Sequence, residues 1–199
     1  MAQATETKTT TAAAVANPAP LGLFGFATTT LVLSAANSNF TGVDVGGALG
    51  LALAYGGIAQ LLAGMWEFKN GNTFGAAAFS SFGAFWISFW VLFNASGSAP
   101  KGNDVGWYLI GWAIVTGLFL ICTLRLNLGL VAVFALLFIT YILLAIGAFN
   151  PPAAGSTPSP IAGYFGIATA IAAYYVGFAG VMEGASGGKI KLPVFPLSR

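Results

Sequence analysis

The chain contains no histidine, and that absence removes the usual carrier for several membrane chemistries. Imidazole is the common proton relay, metal ligand and haem ligand inside a bilayer. No cluster of acids and bases takes its place, so the reading is of a non-enzyme with no metal and no cofactor. What the uncharged stretches do carry is a short inventory of neutral groups: Thr28, Thr29 and Thr30, then Tyr55 and Gln60, then Asn72, Thr73, Ser80 and Ser81. Gln60 is the most demanding of these, because an amide in mid-bilayer needs partners for both its donors and its acceptor. It must face either another helix or a wet cavity.

Helical spacing puts Gly22, Phe26, Thr29, Thr30 and Leu33 on one stripe, so a narrow polar patch interrupts an apolar face. Such a stripe suits a pore wall. It equally suits ordinary packing, with the hydroxyls bonded back to carbonyls of the preceding turn. Glu67 and Glu183 fall at predicted helix ends, where a solvated or cap-bonded carboxylate is expected.

The elements that position these groups follow from composition. Hydrophobic residues make up 57% of the chain, charged residues 6%, and the mean hydropathy is +0.85, which leaves too little polar surface for a water-soluble domain. The net charge of +2 excludes an electrostatic nucleic-acid binder. Cys122 lies alone in an apolar run and reads as a small packed hydrophobe.

Uncharged runs occur at residues 9–43, 45–66, 70–100, 105–124 and 126–182. The last is interrupted by Asn150-Pro151-Pro152 and Pro158-Ser159-Pro160, which no helix tolerates. Six spans result, at 20–37, 45–67, 73–94, 105–124, 127–149 and 160–183. A run such as 45–66 makes a helix of about 33 Å, enough for a hydrocarbon core of about 30 Å. The fold class is therefore an all-α integral membrane protein.

Lys8, Lys69, Arg125, Lys189, Lys191 and Arg199 fall on the side of the termini and Lys101 alone on the other. The positive-inside rule then predicts both termini in the cytoplasm. Residues 1–16 lack a basic region followed by an apolar one and read as a retained, disordered cytoplasmic tail. Residues 17–184 form the membrane domain, and 185–199 a cytoplasmic tail with few features. Small residues four apart, Gly46, Gly50 and Ala54 in the second span and Gly166, Ala170, Ala173 and Gly177 in the sixth, predict close helix approach. Trp86 and Trp90 lie deeper than the interfacial Trp66, Trp107 and Tyr108, facing lipid, a neighbouring helix or another subunit.

Four motifs in order resemble one family. Asn17-Pro18-Ala19-Pro20-Leu21-Gly22-Leu23 is similar to the signature heptapeptide of the acetate uptake transporters. Tyr55-Gly56-Gly57-Ile58-Ala59-Gln60, Glu67-Phe68-Lys69-Asn70-Gly71-Asn72-Thr73-Phe74-Gly75 and Leu143-Leu144-Ala145-Ile146-Gly147 resemble its later motifs. The resemblance implies six helices around a pore in each protomer, a homohexamer in the inner or plasma membrane, and transport of acetate and small monocarboxylates, sometimes succinate, linked to protons. It also implies a constriction at Phe26, Phe82 and Leu137, and pore positions at Ala173 and Tyr175. The family pattern has Tyr where this chain has Phe82. A site without Lys or Arg would hold a carboxylate through neutral donors and helix N-termini, here Asn17, Thr29, Thr30, Tyr55 and Gln60. The alternative reading is a channel for small uncharged solutes such as urea, amides or ammonia.

Overall fold

The computed structural model describes residues 15–39, 42–94, 100–150 and 160–197. Most of the expected N-terminal tail lies outside them. Among the described residues, six helices are long and apolar enough to cross a membrane: α1 (Ala19–Ser38), α2 (Gly46–Lys69), α3 (Thr73–Asn94), α4 (Gly102–Thr123), α5 (Leu128–Phe149) and α6 (Pro160–Ala185). All six expected spans are present, each displaced by at most a few residues.

The entry to α1 is tighter than the sequence suggests. A residue before proline is disfavoured in the helical region, which predicts an extended Asn17 to Ala19. Instead Pro18 has φ −80° and ψ −17°, and Ala19 is already helical. The proline ring fixes φ near the helical value. Its carbonyl then closes the turn by accepting from the N–H groups of Leu21 (3.1 Å) and Gly22 (3.3 Å).

Within α2, residues Ala54–Ala59 form a π-helical turn. The glycine pair in it lets neighbours press against the helix. A Cβ on Gly56 would lie 2.6 Å from Thr29 Oγ1 and 2.9 Å from Trp86, and one on Gly57 would lie 2.8 Å from Ile87. Trp86 is thus buried against a neighbouring helix.

The helices form a ring in the order α1, α6, α5, α4, α3, α2. Two seams are closed by small residues. Gly163 sits on the backbone of Asn37 and Ser38, Gly166 on Ser34, and Gly177 on Leu23 and Phe24, joining α6 to α1. Gly83 sits on the backbone of Leu61 and Gly64 on Ser80, joining α2 to α3. The contact between α3 and α4 is made instead by rings, including Phe74 with Phe119 (5.7 Å between centroids), Phe82 with Trp112 (6.0 Å) and Phe85 with Tyr108 (5.7 Å). Rings hold helices farther apart than glycines do, and interior space follows.

The outer surface is apolar, with Ile58, Leu62 and Met65 on α2 and Ile114, Leu118 and Ile121 on α4 exposed, as lipid contact requires. Two expectations are corrected here. Gly46 and Gly50 have open space around them rather than a close neighbour, because this stretch of α2 buries Ala48 and Ala52 and turns the glycine stripe outward. Cys122 is exposed rather than packed, since it lies near the outward-facing end of α4.

The segment after α6 is more structured than a featureless tail. Gly187 and Gly188 turn the chain with φ of +61° and +80°, a conformation glycine adopts without steric cost. The chain then returns along the start of α5, where Asn127 and Pro196 form an antiparallel bridge.

Candidate functional site

Two cavities of about 220 Å³ each lie in the ring of helices. The proximal cavity opens at the end that carries Asn17 and Glu183, and the distal one lies beyond it. Phe26 and Leu137 line both. Phe82 lines the proximal cavity beside them, its ring edge-on to Phe26 at 5.9 Å and 63°. These three side chains are only 4% (Phe26), 3% (Phe82) and 4% (Leu137) exposed. Two chambers therefore meet at an apolar contact drawn from α1, α3 and α5.

The proximal wall carries four amides, Asn17, Gln60, Asn72 and Asn127, and the carboxylate of Glu183. Three of the four follow one construction. Asn17 Oδ1 accepts from Ala19 N–H (3.0 Å) at the start of α1, Asn72 Oδ1 from Gly75 N–H (3.1 Å) at the start of α3, and Asn127 Oδ1 from Leu130 N–H (2.9 Å) at the start of α5. The side-chain oxygen is engaged each time, as an N-cap at Asn72 and Asn127 and as a two-residue turn just before the Pro18 cap at Asn17, and the –NH₂ is left as the group available to a solute. Odd-numbered helices of an up-down bundle start at the same end, so three asparagines and three positive helix ends converge on one mouth. An anion is favoured there without any Lys or Arg.

Gln60 is buried on this wall, and its Oε1 has no hydrogen-bond partner. The distal wall includes Thr30, Ser34, Asn37, Tyr108, Thr140 and Tyr141. Thr140 Oγ1 donates to Leu136 O (2.8 Å) and Tyr108 OH to Phe85 O (3.0 Å), whereas the buried Thr30 Oγ1 has no partner. Buried polar atoms are satisfied in the great majority of cases. Unpartnered atoms on a cavity wall mark places where water or a solute completes the bonding.

Asn17, Phe26, Gln60, Phe82 and Leu137 thus come together on the proximal wall, and Phe26, Thr30 and Leu137 on the distal one. Thr29, Tyr55 and Ala173 line neither cavity. Successive helical residues are about 100° apart, so Thr29 turns away as Thr30 turns in. Its Oγ1 donates to Gly25 O (2.9 Å), the back-bonded alternative raised by the sequence. Tyr55 sits in the π turn, with its peptide oxygen against Gly25. Ala173 is wholly buried in helix packing. Tyr175 is exposed, its hydroxyl donating to Pro193 O (2.9 Å).

For Glu67 only the solvated alternative is corrected, because it bonds to Asn70, the residue that caps the end of α2. Glu67 is 0% exposed rather than solvated, with Oε2 accepting from Asn70 Nδ2 (3.3 Å) and the carboxyl packed against Gly75. The signal was present: Gln60, Gly64 and Glu67 follow the i, i+4, i+7 spacing of one buried face. Asn72 and Asn127 were legible as polar residues just before apolar runs, but nothing local to them shows that both mouths coincide. The contribution of Leu192 and Val194 to the proximal wall had no sequence signal.

Comparison with known proteins places this geometry. The chain is 41% identical over 187 residues to "Acetate permease A" of Emericella nidulans, covering 84% of this chain and 62% of that protein. It is 40% identical over 176 residues to "Ammonia transport outward protein 2" of Saccharomyces cerevisiae, covering 83% and 61%. The chain thus spans about three fifths of the length of these fungal relatives. It is 37% identical over 183 residues to the "Succinate-acetate/proton symporter SatP" of Escherichia coli, covering 90% of this chain and 95% of that one. The solved "Structure of the bacterial acetate channel SatP" superposes with a TM-score of 0.82 at 36% identity, covering 90% of this chain and 99% of that chain. The sequence model of the GPR1/FUN34/yaaH family matches residues 2–199. The six-helix chain, a multi-pass membrane protein, belongs to the GPR1/FUN34/yaaH family.

Proposed function

We propose that the protein transports acetate and related small monocarboxylates, with succinate as a larger cargo, between the distal and proximal cavities. The observation that carries this reading is the meeting of two equal cavities at Phe26 and Leu137. A carboxylate entering the proximal chamber finds amide donors and helix N-termini for its charge and apolar surface for its methyl group. The dry contact of Phe26, Phe82 and Leu137 penalises a bare anion. Passage then requires either the protonated acid or a rearrangement that opens the ring. Transport is proton-linked in this reading, with the proton carried on the cargo's own carboxyl group. The name of the bacterial relative, a proton symporter, supports that link.

The segregation of basic residues supports placing both termini, and hence the proximal mouth, in the cytoplasm of a cell whose inner or plasma membrane holds the protein. The exposed Gly46 and Gly50 suit close approach by a second copy, in keeping with a homohexamer of separate pores. Asn17 and Gln60 serve the carboxylate, Thr30 the distal approach, and Phe26, Phe82 and Leu137 the gate. Thr29, Tyr55 and Ala173 act in this reading by fixing the helices that carry them.

A second reading, a channel for ammonia or other uncharged solutes, is favoured by the name of the yeast relative and by a ring that passes neutral molecules most easily. Labelled acetate uptake into proteoliposomes, with and without an imposed pH gradient, separates the two. Acetate uptake that rises with inward proton drive and exceeds urea and ammonia flux is expected. Acetate flux indifferent to the gradient and smaller than the flux of neutral solutes would establish the second reading.

A further inference from the structure

Leu192 and Val194 put side chains into the wall of the proximal cavity, although they belong to the segment that follows the last membrane helix. That segment is held by several distinct contacts. Its backbone pairs with the start of α5: Leu128 N–H donates to Phe195 O (3.0 Å), Gly129 N–H to Val194 O (3.2 Å), and Leu197 N–H to Leu126 O (2.9 Å). Tyr175 OH holds Pro193 O at 2.9 Å. Lys191 Nζ pairs with Glu183 Oε1, itself a lining residue, at 3.2 Å.

Two features weaken this seat. The ion pair is largely exposed, with side-chain exposures of 71% and 51%, and pairs of that kind contribute little. Phe195 has φ +54°, a conformation that a bulky side chain rarely adopts. Phe195 is 60% exposed, so burial does little to offset the strain. Strain of this kind persists where the surroundings impose it and is common in switching segments. Upstream, Gly187 and Gly188 supply a left-handed turn at the end of α6, a place where φ and ψ can change freely.

We infer that residues 189–197 are a hinged strap across the proximal mouth, and that cargo passes at full rate only when the strap lifts from α5. While it is seated, its apolar side chains narrow the chamber and its carbonyls occupy the N–H groups of Leu128 and Gly129. The strap thereby regulates the same passage as the proposed acetate transport and rests on that reading.

The placement of Gly129 and Val194 provides a test. An ideal Cβ on Gly129 lies 3.7 Å from Val194 Cβ, inside the range of about 3.5–4.5 Å that a disulfide spans. Val176 lies 2.8 Å from the same position, so Val176→Ala is included to make room. The full chain carrying Cys122→Ser, Val176→Ala, Gly129→Cys and Val194→Cys is reconstituted, and acetate uptake is measured oxidised and then reduced. Locking the strap lowers the initial rate at least about fivefold, as expected where opening of a cover limits throughput, and reduction restores it. Equal rates in the two states overturn the strap.

A parent protein without these substitutions that moves no acetate overturns the acetate reading instead, and a reduced variant that is inactive beside an active parent reports damage to the variant alone. The strap is then judged by hydrogen exchange in a second variant, Tyr175→Phe with Lys191→Met. Faster exchange of the Leu128 and Gly129 amides than in the parent supports a releasable strap. Unchanged exchange refutes it.

Discussion

The proximal and distal cavities have the same volume and share Phe26 and Leu137, yet they offer a carboxylate different chemistry. On the proximal side, Asn17, Asn72 and Asn127 engage their oxygens with helix starts and keep their –NH₂ groups, and Gln60 adds an unpartnered oxygen that can accept from a protonated acid or from water. On the distal side, Thr140 and Tyr108 already donate their hydroxyl protons to backbone carbonyls. A hydroxyl committed to the helix adds polarity but little grip, while a capping amide does both jobs at once. Amide donors are therefore more numerous on the proximal side of the Phe26–Leu137 contact, while the distal side keeps the unpartnered Thr30 hydroxyl.

That contrast breaks most completely if the chambers are merged. Phe26→Ala removes a ring that both cavities share, and an increase in acetate flux of about tenfold is expected, equal to about 1.4 kcal/mol off the barrier. Exclusion of larger acids relaxes with it. Proteoliposome uptake with acetate and a series of longer acids measures both, and unchanged flux with unchanged exclusion would remove Phe26 from the gate.

A smaller effect sharpens the comparison from the proximal side alone. Gln60→Leu keeps the volume and deletes the amide, so the apparent affinity for acetate weakens about three- to tenfold, the scale of one lost hydrogen bond. Saturation curves read this directly. If only the maximal rate moved, Gln60 would be a packing residue rather than a binding one.

The smallest effect is expected at Thr140→Val on the distal side. Its hydroxyl is already bonded to Leu136 O, so acetate uptake changes by less than about twofold, consistent with the small net worth of one back-bonded hydroxyl. A large loss would mean that distal hydroxyls do engage cargo, and the asymmetry would fail.

The sequence made the spans legible because charges bound apolar runs and the two proline clusters split the longest. It made Gln60 conspicuous for the same reason that the structure buries it: an amide in an apolar run needs a partner. Local spacing could not rank Thr29 against Thr30, since both belong to one stripe and only the neighbouring helix decides which turns inward. Nor could it orient the stripe of Gly46 and Gly50, because small residues signal close approach without saying whose helix approaches. The place of Glu67 at a helix end leaves solvation open, although its spacing from Gln60 and Gly64 points inward. The strap was illegible for a different reason. Its pairing with residues 126–129 joins parts of the chain that lie far apart in sequence, and its carbonyls reach α5 through the backbone, which carries no signature.

The π turn at Ala54–Ala59 can be understood as a change of phase. An uninterrupted α-helix advances about 100° per residue, so the buried side set by Ala48 and Ala52 would drift away from the side carrying Gln60, Gly64 and Glu67. A π turn packs more residues into a turn, and across these six residues the helix falls back by roughly one residue's rotation. Both halves of α2 therefore bury the same side. Removing one residue from this turn would keep the composition, the length needed to span a bilayer and every motif but one. It would also rotate Gln60 out of the chamber and Glu67 out of its buried seat, so the register of a single turn fixes which chemistry the passage contains.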